Sequence, residues 1–152
     1  MTLRDVSGAL PRSRLRSPGY RVASAWCYHG HMSRERQALG LLGERLAFRW
    51  LRAQGWTLVA HRFRTGHRDI DLIVRRDALV AFVEVKARRG EAFGRPVEAV
   101  HFRKRRELGR SARVWVDRHG SPELSYRFDV VGVLVAGQKV RIHHVENAFS
   151  LS

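Results

Sequence analysis

Apolar residues recur at intervals of three and four between residues 33 and 54, which is the spacing of one helical face. Gly55 follows directly, at the position where a left-handed residue ends many helices. The pattern predicts a first helix over this range. Its expected buried stripe consists of Leu39, Leu42, Leu46, Trp50 and Ala53.

The pattern then changes to the period of two that strands show. Residues 56–60 predict a short strand, and the basic stretch 61–68, broken by Gly66, predicts its turn or edge. Residues 69–75 alternate and predict a second strand. One face of that strand should carry Ile70, Leu72 and Val74, and the other Asp69, Asp71 and Ile73.

Residues 79–86 are rich in valine and phenylalanine on both of their alternating faces, which is typical of a central strand. A turn at Arg76-Asp77 precedes this segment. Glu84 and Lys86 should share a side with Val80 and Phe82, opposite a second side of Ala81, Val83 and Val85.

A second helix is predicted from Pro96, because proline fits the first turn of a helix. Its stripe of Val97, Val100, Lys104, Leu108, Ala112 and Trp115 predicts that Lys104 points inward. Residues 124–135 and 139–144 predict two further strands, followed by a short tail through Phe149. The predicted order is helix, three strands, helix, two strands.

Residues 1–31 show no sustained periodicity and contain five arginines and one acid. This composition predicts a disordered basic arm, with a single folded domain over residues 32–152. Met32 is an alternative natural start. No apolar run approaches the ~20 residues of a membrane helix, so no membrane partner is expected.

The charge balance indicates a polyanionic partner, because 29 Lys and Arg stand against 14 Asp and Glu, a formal charge of +15. Nucleic acid is the expected partner, DNA ahead of RNA, although genome base composition could also enrich arginine. The single cysteine, Cys27, excludes an internal disulfide framework and a multi-cysteine zinc site, and fits a cytoplasmic location.

Glu84 and Lys86 require an explanation, since charges on a central apolar strand cost desolvation unless partners or a metal compensate. Asp71 on the neighbouring antiparallel strand should meet them across the ladder. Two carboxylates suit Mg²⁺ or Mn²⁺, and such a site would serve phosphodiester hydrolysis. The alternative is that Asp71 and Glu84 simply pair with arginines.

Several separated motifs occur in a recognisable order between about residues 35 and 149. They are Gly43-Glu44, Arg64, residues 69–73, 82–88 and 94–100, Lys104, residues 127–131 and Asn147-Ala148-Phe149. Together these motifs resemble the YraN family of bacterial proteins. Each motif alone would be a weak signal.

The resemblance implies an α/β fold with a restriction-endonuclease-like αβββαβ core of the PD-(D/E)XK type, a mixed central sheet flanked by helices. It implies that Asp71 and Glu84 are metal ligands and Lys86 the catalytic lysine. Glu44 would be a further ligand or a base acting through water. The active-site layout would be similar to archaeal Holliday-junction resolvases, which makes a homodimer attractive by analogy.

Two departures from the family pattern are present. Arg62 stands before Phe63-Arg64 where the family usually has asparagine, and Asp69 stands where it usually has glutamate. The shorter reach of Asp69 puts a direct role at that position in doubt.

For several other residues the sequence allows both a functional and a purely structural role. Lys104 could approach a phosphate or cover the core with its stem, and Glu44 could be an exposed salt-bridging residue. Asp129 is expected to accept structural hydrogen bonds. The second helix's Arg103, Arg105, Arg106, Arg110 and Arg113 could track phosphates or be a solvated face, and Phe63, Phe93 and Phe102 could stack on bases or pack in the core.

These observations predict a Mg²⁺- or Mn²⁺-dependent nuclease acting on DNA, with branched or otherwise structured DNA as a candidate substrate. The first alternative is a nucleic-acid-binding module that keeps the fold without hydrolysing its ligand. The second is a basic scaffold for an acidic protein, which explains the charge but not the Asp71, Glu84 and Lys86 cluster.

Overall fold

Two helices and six strands make up the described part of the chain, residues 4–5, 34–92 and 100–150 of the computed structural model. The predicted arm over 1–31 lies outside these residues except for Arg4 and Asp5, as do Pro96 and Val97. The elements are β1 (Arg4–Asp5), α1 (Arg34–Ala53), β2 (Thr57–Thr65), β3 (Arg68–Arg76), β4 (Leu79–Arg89), α2 (Phe102–His119), β5 (Ser125–Ala136) and β6 (Lys139–Phe149).

The strands form one mixed sheet in the order β1-β6-β5-β4-β3-β2. β4 and β5 run parallel, joined by the crossover that contains α2, and the remaining neighbours are antiparallel. The run from α1 to β5 is the predicted αβββαβ order, and β6 and the two-residue β1 extend the sheet. The mixed α/β fold is confirmed.

β4 has two buried faces, as its sequence predicted. Ala81, Val83 and Val85 pack in a cluster that includes α1, whereas Val80 and Phe82 pack in a second cluster that includes α2. The two helices therefore cover opposite faces of the sheet. Glu84 follows Phe82 in the alternation and lies on the α2 side.

The buried face of α1 differs from the predicted stripe. Its fully buried residues are Gly43, Glu44, Ala47 and Leu51, whereas Leu42 of the predicted stripe is 36% exposed. The small side chains let the helix approach the sheet closely, because a Cβ built on Gly43 would lie 2.4 Å from the Cβ of Ala87 on β4. The face of α1 that is buried is the one whose small side chains allow the helix to lie close to β4, and not the one with the largest apolar side chains.

Replacement of Gly43 by alanine should therefore destabilise the protein by about 1–3 kcal/mol, because the added methyl group overpacks the contact with Ala87. Gly40→Ala is the matched control on the same helix, since nothing lies within 4 Å of a Cβ there. It should stabilise by about 0.5–1 kcal/mol through helix propensity. Urea unfolding measures both, and equal effects would contradict this packing.

The alternation of β3 is interrupted at Asp71. Leu72 and Val74 share one face as predicted, the α1 side, but Ile70 packs on the α2 side with Ile73, so the predicted face of Ile70 is wrong. The β3–β4 pairing ends at Leu72 and Val83, and beyond this point the two strands are no longer paired residue by residue. The interruption gives Asp71 its position beside β4.

Element boundaries also differ from the predictions, and β2 and β4 extend beyond them, to Thr65 and Arg89. α2 begins at Phe102, and His101 before it is extended, so the described residues 100–101 are not helical as the prediction from Pro96 required. β6 continues to Phe149, because Phe149 pairs with Phe128 and the two rings stack with their centroids 4.9 Å apart. The predicted tail is thus part of the sheet.

Candidate active site

Glu84 is the centre of the candidate site. The residue is 3% exposed, at the end of the apolar run of β4. Lys86 Nζ donates a hydrogen bond to Glu84 Oε1 at 2.7 Å, and Lys104 Nζ lies 3.4 Å from Oε2. Oε2 is nevertheless a buried oxygen without a hydrogen-bond partner among the described residues. The Lys104 ammonium group offsets part of its charge, and Oε2 retains the capacity to accept a further ligand.

Asp71 lies on β3 at the residue where the strand's alternation breaks, and its carboxylate contacts β4 beside Glu84. Its Oδ2 accepts a hydrogen bond from the backbone N–H of Val85 at 2.7 Å, which ties the carboxylate to β4. Burial, and then repulsion by Glu84, raise the pKa of Asp71 to about 8, against its ordinary value of 3.8. Ionisation of both carboxylates is therefore unfavourable in the metal-free protein, and a bound cation would relieve the repulsion between them.

Lys104 comes to the site from the first turn of α2. Its side chain is 32% exposed, so the ammonium group lies at the boundary between Glu84 and solvent. Burial alone would lower the pKa of Lys104, but the carboxylates of Glu84 and Asp71 outweigh it and raise the pKa. The predicted inward direction is confirmed, and Lys104 is a charged group of the site.

Glu44 is buried beside the site, and both of its oxygens are engaged. Arg62 donates from Nε to Oε2 at 2.9 Å and from Nη2 to Oε1 at 2.8 Å, and His61 Nε2 lies 2.6 Å from Oε2. Burial alone would raise the pKa of Glu44, but the hydrogen bonds from His61 and Arg62 lower it. In this arrangement Glu44 is an ion-pair partner, and its charge also acts on Asp71.

The pairing of His61 and Arg62 with Glu44 was not predicted from the sequence, which marked Arg62 only as a departure from the family pattern. Consecutive residues of a regular strand point to opposite faces, but Arg62 has a positive φ of 50°, and both side chains reach Glu44. A positive φ is uncommon for arginine and several-fold more frequent for asparagine. The asparagine usual at this position in the YraN pattern was the available signal.

The donor set fits a hard divalent cation that keeps much of its water. Among residues 34–92 and 100–150, no three His, Cys, Asp or Glu side chains are grouped to hold a metal. Asp71 and Glu84 supply two carboxylates, and Mg²⁺ is often bound through one or two carboxylates plus waters and substrate phosphates. Oε2 of Glu84, which accepts no hydrogen bond among the described residues, is consistent with such a ligand role.

The remaining candidates lie elsewhere. Asp129 is fully buried and accepts hydrogen bonds from Arg127 and from the backbone N–H of Asn147, with His144 Nε2 2.8 Å away, so its expected structural role is confirmed. Phe63 packs against the α2-side cluster, whereas Phe102 is exposed. Phe93 lies outside the described residues.

The mixed sheet, its αβββαβ order and the two flanking helices are those of a restriction-endonuclease-like core. A model of the uncharacterised protein family UPF0102 matches residues 43–133. The chain belongs to this family, the YraN family, and the resemblance noted in the sequence is confirmed.

Relatives described as UPF0102 proteins are similar along most of their length. One from Nocardia farcinica is 45% identical over 116 residues, which cover 76% of this chain and 91% of the relative. One from Syntrophomonas wolfei is 42% identical over 120 residues, which cover 78% of this chain and 100% of the relative. One from Alkaliphilus metalliredigens is 39% identical over 113 residues, which cover 74% of this chain and 98% of the relative.

Neither helix of the described ranges is both long enough and apolar enough to cross a bilayer.

Proposed function

We propose that this protein is a metal-dependent nuclease that hydrolyses phosphodiester bonds in DNA. Asp71 and Glu84 would hold Mg²⁺ or Mn²⁺, and Lys86 would act beside them. The observation that carries the proposal is the pair of carboxylates, Asp71 and Glu84, at the point where the pairing of β3 with β4 ends. One of them has a buried oxygen that accepts no hydrogen bond among the described residues, and the other has a pKa raised to about 8.

The chain's own residues have separable tasks in this proposal. A bound divalent cation would polarise the scissile phosphate and lower the pKa of an attacking water. Lys86, 31% exposed and held by Glu84, would orient that water or stabilise negative charge that develops on the phosphate. Lys104 would offset the charge of Glu84 on the α2 side. Glu44 would act indirectly, because Arg62 and His61 occupy its oxygens.

The proposed substrate includes branched or otherwise structured DNA, by analogy with the resolvases that the site resembles. A symmetric junction requires two cuts, so a homodimer with two sites would suit it. The strong positive charge would supply most of the DNA affinity through phosphate contacts. The single cysteine suits action in the reducing cytoplasm.

A nucleic-acid-binding module without hydrolytic activity is the second candidate. The observation that favours it is that the described residues contain no group of three metal-ligating side chains. In that case Lys86 and Lys104 would serve only to neutralise Glu84.

Direct metal binding tests the proposed site. Titration of the protein with Mn²⁺, followed by electron paramagnetic resonance, should show a bound ion in the wild type. Glu84→Gln should weaken binding by at least about tenfold, because it removes a charged ligand, and metal sites lose 10- to 100-fold even when an outer-shell partner is replaced.

Asp77→Asn is the matched control, since Asp77 is an exposed acid in the turn between β3 and β4 and asparagine tolerates its positive φ of 55°. Equal Mn²⁺ affinity in all three proteins would contradict the metal site.

A further inference from the structure

Phe102 is unusually exposed for an aromatic residue. Its relative exposure is 71%, whereas the other exposed large apolar residues of the described chain lie between 36% and 43%. A single exposed apolar side chain is ordinary by itself. The surroundings of Phe102 give it significance, because the guanidinium carbon of Arg106 lies over the ring, 5.7 Å from its centroid.

Phe102 begins a charged line along the outer face of α2. Residues four, eight and eleven positions later on a helix lie on the same side as the first. These are Arg106, Arg110 and Arg113, and all three are exposed. The buried apolar side chains of Leu108, Ala112 and Trp115 lie on the opposite side. We call Phe102, Arg106, Arg110 and Arg113 the α2 stripe.

Within residues 34–92 and 100–150, no carboxylate forms an ion pair with Arg106, Arg110 or Arg113 of the α2 stripe. By contrast, the adjacent Arg103 pairs with Glu107 at 3.1 Å. A surface with three unpaired guanidinium groups is complementary to a polyanion, and its planar donors suit phosphate oxygens.

The α2 stripe begins in the same turn that reaches the candidate active site. Lys104 lies two residues after Phe102, and its ammonium group is 3.4 Å from Glu84. Lys104 points inward and Phe102 outward, so a strand whose scissile phosphate lies at Glu84 would reach the α2 stripe by passing around the N-terminal end of the helix, where Phe102 is the first residue that it meets.

We infer that the α2 stripe binds a single-stranded stretch of nucleic acid, with an unpaired base stacked on Phe102 and phosphates bound along the arginines. This inference rests on the proposed function and specifies its substrate class as DNA with unpaired bases beside the cut. Phosphate binding alone accounts for the arginines but not for the exposed ring. Stacking of a base on the ring, with the guanidinium of Arg106 beside it, accounts for both.

The test measures binding of wild-type protein and Phe102→Ala in EDTA, so that no metal-dependent cleavage intervenes. Three labelled probes of equal length are compared: a DNA single strand, the same strand with abasic sites throughout, and a blunt duplex. Phe102→Ala should weaken binding of the normal single strand by about tenfold, because base stacking on an aromatic residue contributes on that order. Binding of the abasic strand and of the duplex should not change.

Two variants and one spectroscopic signal sharpen the comparison. Phe102→Trp should retain full affinity for the normal strand, and Leu58→Ala, which removes an exposed apolar side chain from β2, should change nothing. 2-Aminopurine in the single strand should lose fluorescence on binding to the wild type but not to Phe102→Ala. Because Phe102 is exposed, these substitutions leave the core intact.

The outcomes separate this inference from the nuclease proposal. Unchanged single-strand affinity in Phe102→Ala, or an equal loss on all three probes, would overturn base stacking at Phe102 while leaving the nuclease proposal standing. Binding of the wild type to the duplex alone, and not to the single strand, would likewise overturn base stacking at Phe102 without contradicting the nuclease proposal. Failure of the wild type to bind any of the probes would instead contradict the proposed function and, with it, this inference.

Discussion

Replacement of Glu84 by glutamine should reduce DNA cleavage by at least about a hundredfold, a loss typical of removing a group that stabilises transition-state charge. Glu84 lies 2.7 Å from the ammonium group of Lys86 and 3.4 Å from that of Lys104, so its charge holds both lysines at the site. The amide keeps the shape of the side chain. Both lysines are about one-third exposed and can be solvated when their partner loses its charge.

DNA binding by Glu84→Gln should persist, because the substitution removes a negative charge and leaves the arginine surface in place. The measurement is a single-turnover cleavage rate beside an equilibrium affinity at the same salt concentration, with Asp77→Asn as the control. Parallel losses of rate, affinity and folded structure would indicate that Glu84 is a structural residue. A cleavage rate equal to that of the wild type would exclude it from catalysis.

Replacement of Asp71 by asparagine should stabilise the metal-free protein at alkaline pH. The pKa of Asp71 is about 8 in the folded protein and 3.8 ordinarily. Between these values the folded state retains a proton that the unfolded state releases. The wild-type free energy of unfolding should therefore fall as the pH rises through this interval and become level above about pH 8.

Asp71→Asn has no carboxyl group to titrate, so its advantage over the wild type should grow across that interval. It should reach at least about 1.4 kcal/mol, the equivalent of one pKa unit. The asparagine oxygen can still accept the hydrogen bond from Val85 N–H. Urea unfolding in EDTA at pH 5, 7 and 9 measures the difference, and a pH-independent loss of stability would contradict it.

The repulsion between the two carboxylates can be tested in the same experiment. Glu84 is the first charged group to raise the pKa of Asp71, after burial. The gain from Asp71→Asn should therefore be smaller when Glu84 is already glutamine. Equal gains in both backgrounds would mean that burial alone sets the pKa of Asp71.

The sequence predicted the parts of this molecule that follow strict periodicity. The two apolar faces of residues 79–86 identified a central strand, and the spacing of two placed Glu84 and Lys86 on one side of it. Lys104 fell on the inward stripe of a helix for the same reason. These predictions depend only on the strand and helix periods, which tertiary contacts leave unchanged.

Periodicity failed where packing or backbone geometry overrides it. The face of α1 was wrong because Gly43 and Ala47 allow close approach to β4, and hydrophobicity alone favours larger residues. Ile70 was placed on the wrong face because β3 breaks its alternation at Asp71. The ion pair of Arg62 with Glu44 depends on a positive φ that a strand pattern does not reveal.

Cleavage by the wild-type protein is the most direct test of the central claim. Labelled duplex, single-stranded, flap and four-way-junction DNA would each be incubated with Mg²⁺, with Mn²⁺ or with EDTA. We predict cleavage with either cation, no cleavage in EDTA, and a preference for the substrates that contain unpaired bases. Salt-sensitive binding of these DNAs with no cleavage under any metal condition would contradict the nuclease and leave the binding module in its place.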